Sequence, residues 1–360
     1  MGLYGSKSET AKAGEKSKEG WESFTKLQLT QELNISENNS VKKVSVYCDL
    51  CYPQLDFVEA VRFCQTCNRY LCKICYDCHK HSSIRTDKET CLAVEIIAPE
   101  CLKEIDPRGK EDEENCWISG MALLSTGDLV VVDGGNRAVK MIRVIDSEIL
   151  SELKLPSEPF DSAVVTKYEI GVTLPEQQQI QYLGILNGLS KTRRMRVDGH
   201  CFGISHKNSL TVITFLCPEK VEIISNDGKI LKRIETDFKG NELFSAPYYV
   251  VFCHERKHVY VSDHRKDAVI KLSIEGEIIA TYRAGDLDRP EALVVREDGS
   301  VVVASRDTNC LHIISSRFNK IKILKGEESK LERPWSLCYS AENKLLYVGN
   351  NDGKSINVYA

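Results

Sequence analysis

Five cysteines and two histidines fall within the run Cys64-Gln-Thr-Cys-Asn-Arg-Tyr-Leu-Cys-Lys-Ile-Cys-Tyr-Asp-Cys-His-Lys-His81. A further pair, Cys48 and Cys51, lies just upstream. Sulfur and imidazole at this density can exchange electrons, form disulfides or hold metal. Redox centres of the CxxC type need one nucleophilic pair at a helix start, and overlapping pairs without that context do not fit. A disulfide framework belongs to an oxidising compartment. The N-terminus carries no apolar leader, and the total of 15 cysteines is odd. Zinc fits better, because each ion takes four thiolate or imidazole ligands and CxxC offers two from one tight turn. A segment of about 45 residues buries too little apolar surface to fold alone. Two ions, on the order of 10 kcal/mol each, would supply the folding energy. The sites look closed, which implies a structural role.

The most distinctive part is Phe63-Cys-x2-Cys-x4-Cys-x2-Cys-x3-His. It resembles the B-box zinc finger of the tripartite-motif family. That resemblance implies a cross-brace, with Cys48, Cys51, Cys72 and Cys75 on one zinc and Cys64, Cys67 and His79 on the other. The family usually places a second histidine several residues after the first. Here the next histidine is His81, only two positions on, and a typical spacing lands near Asp87. His81 and Asp87 therefore stand as equal candidates for the eighth ligand. Cys78 is a weaker one, and Cys78 and Cys91 also read as bystanders.

Around this cluster the chain divides by texture. Residues 1–43 are polar, rich in Lys, Glu, Ser and Asn, and read as a disordered tail. The start Met1-Gly2-Leu3-Tyr4-Gly5-Ser6 fits the pattern for N-myristoylation at Gly2. One such acyl chain would anchor only marginally. Residues 44–90 hold the zinc-finger region. Residues 91–115 form a connector that ends in the charged run Lys110-Glu-Asp-Glu-Glu114.

From residue 116 short apolar runs alternate with turn signals. Gly127-Asp-Leu-Val-Val-Val-Asp133 aligns with His258-Val-Tyr-Val-Ser-Asp263, Gly299-Ser-Val-Val-Val-Ala-Ser305 and Lys344-Leu-Leu-Tyr-Val-Gly-Asn350. Weaker copies surround Thr173 and Thr214. Anchoring on Asp133, Thr173, Thr214, Asp263, Ser305 and Asn350 gives a period of roughly 40–48 residues, the length of one four-stranded propeller blade. A short apolar strand precedes each copy. Four of these open with proline, at Pro159, Pro247, Pro290 and Pro334, which suits a strand's first residue. Six markers predict six blades over 116–360. The last blade needs an outer strand, and Cys101-Leu-Lys-Glu-Ile105 is expected to supply it.

The Gly127–Val139 segment closely resembles the NHL repeat, and the later copies resemble it more loosely. The order B-box then NHL propeller is that of tripartite-motif NHL proteins, and the resemblance covers roughly residues 44–360. It implies a mainly β chain: a small two-zinc B-box finger followed by a six-bladed NHL-type β-propeller. Residues 1–47 contain no Cys or His, so no RING is encoded there and no ubiquitin-ligase activity of its own is expected. The connector shows no heptads, so the family's long coiled coil has no counterpart.

Composition narrows the function. Net charge is −4, so no global field draws the chain to nucleic acid or anionic membrane. No apolar run is long enough to span a bilayer, and a cytoplasmic location is expected. The densest basic run, Lys191–Arg196, reads as an exposed outer hairpin of blade 2. A second basic area, Arg256-Lys257 with His264-Arg265-Lys266, falls in blade 4. Asp161 and Glu291 are the only acids in the inner-strand markers, too few for a calcium hydrolase. The expectation is a non-catalytic adaptor that binds protein partners on a propeller face and uses the B-box for protein contacts or self-association. The alternatives are a RING-less component of a ubiquitin-ligase pathway and an RNA-binding post-transcriptional regulator, of which RNA binding is not favoured.

Overall fold

In the computed structural model the described residues are 100–360, apart from 238, 254, 256, 326–328, 351–352, 354 and the side chains of 320–321. The backbones of Trp21–Glu22, Arg62–Cys64, Arg69–Leu71 and Glu95–Ile97 are described as well. The chain divides into two compact units, 1–91 and 92–360. In the first unit three short strands form one antiparallel sheet, with Arg62–Cys64 in the middle and Phe63 paired with Tyr70.

The second unit is a six-bladed β-propeller. Its inner strands are Ile118–Leu123, Ser162–Thr166, His200–Lys207, Pro247–Phe252, Pro290–Val295 and Pro334–Ser340. Each packs against the next, and the last packs against the first, so the ring is closed. Blades 1 to 4 are antiparallel sheets of four strands in chain order. Apolar clusters fill the spaces between blades, as Val130, Val132 and Val139 of blade 1 do against Ile170 and Val172 of blade 2. The middle strands are therefore covered on both faces. That is why Leu129–Asp133 reads as an unbroken buried run rather than an alternating one. Each such side chain contributes about 1.5–3 kcal/mol when fully buried.

Blade 6 takes its outer strand from the front of the unit. Lys103–Ile105 pairs antiparallel with Ile356–Tyr359, with Ile105 opposite Ile356. This is the segment from which the sequence leads one to expect the closing strand. Blade 5 carries an added parallel strand, Glu95–Ile97, for which the sequence offers no signal.

The repeat has a mechanical basis at the end of each second strand. Asp133 accepts from the backbone N–H of Trp117 at 3.0 Å, and Asp263 from Ser245 at 2.8 Å and Ala246 at 3.0 Å. Ser305 Oγ accepts from Asp288 N–H at 2.9 Å. In each case a strand-end side chain ties down the loop that enters its own blade. The strand register corrects the sequence anchors in blades 2 and 3. Phe215 stands opposite Cys201 as Asp263 stands opposite Pro247, so the equivalent positions are Leu174 and Phe215, one residue beyond Thr173 and Thr214. Those threonines act differently. Thr173 Oγ1 donates to Phe202 O at 2.6 Å and Thr214 Oγ1 to Tyr248 O at 2.8 Å, stitching neighbouring inner strands together.

Candidate functional site

Five of the six inner strands begin with a register shift, at 118/120, 201/204, 247/249, 290/293 and 334/336, whereas in blade 2 the shift lies near the other end, at 164/166. An extra residue bulges there, kinking the strand and re-aiming its side chain. The residues at this level are Ser119, Phe160, Phe202, Tyr248, Glu291 and Trp335, with Trp117 just before the first. Five aromatic rings therefore gather at one end of the axis. Trp117 meets Trp335 edge-on at 5.2 Å and Phe160 at 6.3 Å, and Phe160 meets Phe202 at 4.8 Å. Phe202 meets Tyr248 at 5.3 Å. Edge and tilted contacts of this kind add to simple burial. The rings enclose a mouth of about 260 Å³, whose rim carries Glu158, Glu176 and His200. Its lining holds no serine, threonine, cysteine or lysine.

One residue further in lies a narrower ring of Gly120, Asp161, Gly203, Tyr249, Ala292 and Ser336. Small residues are needed here. A Cβ on Gly203 would come within 2.5 Å of Tyr248 O, and one on Gly120 within 2.8 Å of the Asp161 backbone. The space they leave is crossed by Tyr249, whose hydroxyl donates to Ser119 O at 2.6 Å. Beyond this waist a second cavity of about 340 Å³ runs along the inner strands past Ser162, His206, Cys338 and Tyr339.

The two inner-strand acids sit at different levels and do not converge. Asp161 lines the waist and accepts from Ser162 N–H at 2.8 Å and Ile204 N–H at 3.0 Å. Burial nevertheless pushes its carboxyl up to about 7. Glu291 lies at the aromatic level, fully buried. Its Oε1 is 3.1 Å from His264 Nδ1 and 3.7 Å from Arg306 Nη1, neither aligned as a hydrogen bond. Burial pushes Glu291 up, opposed by His264 and Arg306. Arg306 lies 4.3 Å over the Trp335 ring, and His264 stacks on Tyr248 at 4.9 Å.

Asp112, Cys116 and Asp133 bring three potential ligand atoms within 4.8 Å of one another. The Lys140 ammonium already fills the space among them. Lys140 Nζ is 2.6 Å from Asp112 Oδ2, 2.7 Å from Asp133 Oδ2, 3.1 Å from Pro107 O and 3.5 Å from Cys116 Sγ. Burial, with Asp133 nearby, pushes the Cys116 thiol far up, so it is a protonated and poor ligand. The donor set suits an ammonium, and the cluster locks the entering loop to blade 1. Asn357, at the matching place in blade 6, holds its own entering loop by donating to Lys330 O at 2.7 Å.

The predicted zinc ligands Cys48, Cys51, Cys64, Cys67, Cys72, Cys75, His79, His81 and Asp87 lie outside the described residues, save for the backbone of Cys64. The run Lys191–Arg196 forms an exposed outer strand of blade 2. Its Arg193 is turned inward onto the Tyr182 ring at 3.4 Å and pairs with Glu169 at 2.9 Å. The second basic area is not one patch. Lys257 and His264 bracket the strand His258–Asp263, so they lie at opposite ends of the blade, and Arg256 is outside the described residues. A strand rises about 3.3 Å per residue, which separates them by roughly 20 Å. The aromatic mouth is the feature that sequence reading missed. Its signal was an aromatic at the start of five of the six inner-strand markers.

No protein-family model and no curated protein matches this chain. Solved structures do. A virginiamycin B lyase from Staphylococcus aureus, solved with quinupristin, is 15% identical over 71% of this chain and 87% of its own, with a TM-score of 0.53. A protein of unknown function from Bacteroides thetaiotaomicron is 14% identical over 74% of each chain, with a TM-score of 0.59. Hydrazine synthase from Kuenenia stuttgartiensis is 14% identical over 68% of this chain and 76% of its own, at 0.51. At these identities the likeness establishes the propeller fold alone.

Proposed function

We propose that this chain is a non-catalytic adaptor whose propeller binds a protein partner at the aromatic mouth. The observation that carries this reading is the convergence of Trp117, Phe160, Phe202, Tyr248 and Trp335 on a concave site whose lining holds no serine, threonine, cysteine or lysine. Aromatic side chains in a concavity are what anchor residues of a partner pack against. In keeping with its resemblance to the tripartite-motif family, the segment 44–90 is a B-box finger. It holds two structural zinc ions through the cysteines and histidines named above and serves protein contacts or self-association. Among the described residues no helix is long and apolar enough to cross a membrane.

The test is affinity capture from native lysate with the full chain, with and without RNase, beside a Phe202→Ala/Tyr248→Ala variant. Both residues are partly exposed, so the variant is expected to fold. Partners retained after RNase and lost from the variant support the reading. Partners that survive the double substitution remove the mouth from it. Loss of signal with RNase, with RNA recovered, replaces it by nucleic-acid binding.

A further inference from the structure

The mouth is unevenly charged. On the side of blades 4 to 6 three arginines share the carboxylate of Asp307. Asp307 lies 3.3 Å from Arg289, 3.9 Å from Arg306 and 3.7 Å from Arg333, and Glu291 faces Arg306 and His264. On the side of blade 2 the rim carries Glu158 and Glu176, both exposed. Neither forms an ion pair among the described residues. Burial at the mouth raises the Glu158 carboxyl and Glu176 raises it further, against the opposing charge of Arg137. Two carboxylates without an ion-pair partner among the described residues thus stand beside rings whose faces carry negative potential. Both features attract one kind of group, a cation with an apolar stem. The chain itself supplies an example, since Arg306 lies over Trp335 with its guanidinium 4.3 Å from the ring centre.

We infer that the mouth selects a partner by one exposed cationic side chain, an arginine or lysine, stacked on the rings with its charge towards Glu158 and Glu176. This rests on the adaptor reading and names the chemistry of the partner's anchor. Arginine suits the site better than lysine, because a planar guanidinium stacks on an aromatic face and can meet two carboxylates at once. Glycine, serine or acidic residues at the anchor position are rejected. They leave the rings uncovered or set like charges together.

The probe is acetyl-Gly-Arg-Gly-amide, titrated to about 10 mM, a range set by the weak affinity of so small a ligand. Emission from Trp117 and Trp335 reports its arrival in the full chain. A saturable change is expected, with the glutamine analogue about tenfold weaker and binding that weakens with salt. In Glu158→Gln/Glu176→Gln, a pair of exposed substitutions that leaves the fold intact, the arginine peptide binds about tenfold more weakly. The inference is overturned by equal binding of the glutamine analogue, by an unaffected double variant, or by no saturable change with any peptide. Preference for the glutamate analogue also overturns it, and assigns the mouth to Arg289, Arg306 and Arg333. Partner capture separates the two readings. Capture lost in Phe202→Ala/Tyr248→Ala but kept in Glu158→Gln/Glu176→Gln preserves the adaptor and removes the cationic anchor.

Discussion

Tyr249 of blade 4 donates its hydroxyl to the backbone carbonyl of Ser119 in blade 1, directly across the axis, at 2.6 Å. Blades 1 and 4 oppose each other in a ring of six, so this one bond spans the propeller and closes its channel. The aromatic mouth and the cavity beyond it are therefore separate spaces rather than a through-pore. Phe160, packed on Tyr249 at 5.1 Å, completes the partition.

Tyr249→Phe keeps the ring and removes the bond. The carbonyl of Ser119 then loses a buried donor, which costs about 1–2 kcal/mol. Equilibrium denaturation should show that loss with an unchanged slope on denaturant concentration. A variant as stable as the parent would mean that the bond adds nothing beyond the packing of the ring.

Lys140 should be much more sensitive. Its ammonium is fully buried against Asp133 and Asp112. Burial works against the charge, yet the bonds to both carboxylates hold the amine above its usual value. Lys140→Met leaves buried Asp133 without its cation and Asp112 with only Lys154, 3.7 Å away, and removing one partner of such a group costs about 3–5 kcal/mol. Adding Asp133→Asn should recover part of that loss, because an amide oxygen still accepts from Trp117 N–H. No recovery in the double variant would show that packing, not charge, sets the cost.

Ring closure gives a further prediction. Ile105 is fully buried and pairs with Ile356. A chain beginning after residue 91 keeps the closing strand, and one beginning after residue 110 lacks it. The first should melt with the parent's propeller transition and the second far lower. Ile105→Ala in the full chain should cost about 2–5 kcal/mol. Identical melting of the two truncations would exclude a closing role for Lys103–Ile105.

What the sequence made legible follows from what the fold repeats. Blades 1, 4, 5 and 6 show themselves because Asp133, Asp263, Ser305 and Asn350 each tie down an entering loop, a task needing a polar group at a fixed place. In blades 2 and 3 Leu174 and Phe215 occupy that place, so the nearest polar residues, Thr173 and Thr214, drew the anchor one position off. The mouth escaped notice for another reason. Its rings come from five blades and meet where most inner strands bulge at their start, and a bulge leaves no mark in hydrophobic periodicity. Glu291 and Asp161 were visible as acids, but the one-residue step between their levels was not.

The proposed zinc finger offers a test that is independent of the propeller. In the cross-brace that the family resemblance implies, Cys64 and Cys72 serve different ions. The full chain should carry two zinc ions by elemental analysis. Cys64→Ser or Cys72→Ser should lose zinc and the folding energy it supplies, on the order of 10 kcal/mol per ion. The propeller's melting transition should not move. Two ions retained in either variant would overturn the ligand assignment. Comparing His81→Ala with Asp87→Ala then identifies the eighth ligand as the residue whose loss releases metal.

Asp161 should leave a signature in the pH dependence of stability. Burial raises its carboxyl from an ordinary value near 3.8 to about 7 in the folded chain. The folded state therefore holds a proton that the unfolded state has lost throughout that window. Stability is greatest below the unfolded value and falls as pH rises towards 7, by about 4 kcal/mol for a shift of this size. Glu291 shifts in the same direction for the same cause, so the difference between parent and variant isolates Asp161. Asp161→Asn cannot ionise and should flatten the slope between pH 4 and pH 7 by that amount. It should also be the more stable form, relative to the parent, at the upper end. A parent and variant with parallel profiles would mean that Asp161 stays ionised in the waist, its charge carried by the N–H groups of Ser162 and Ile204.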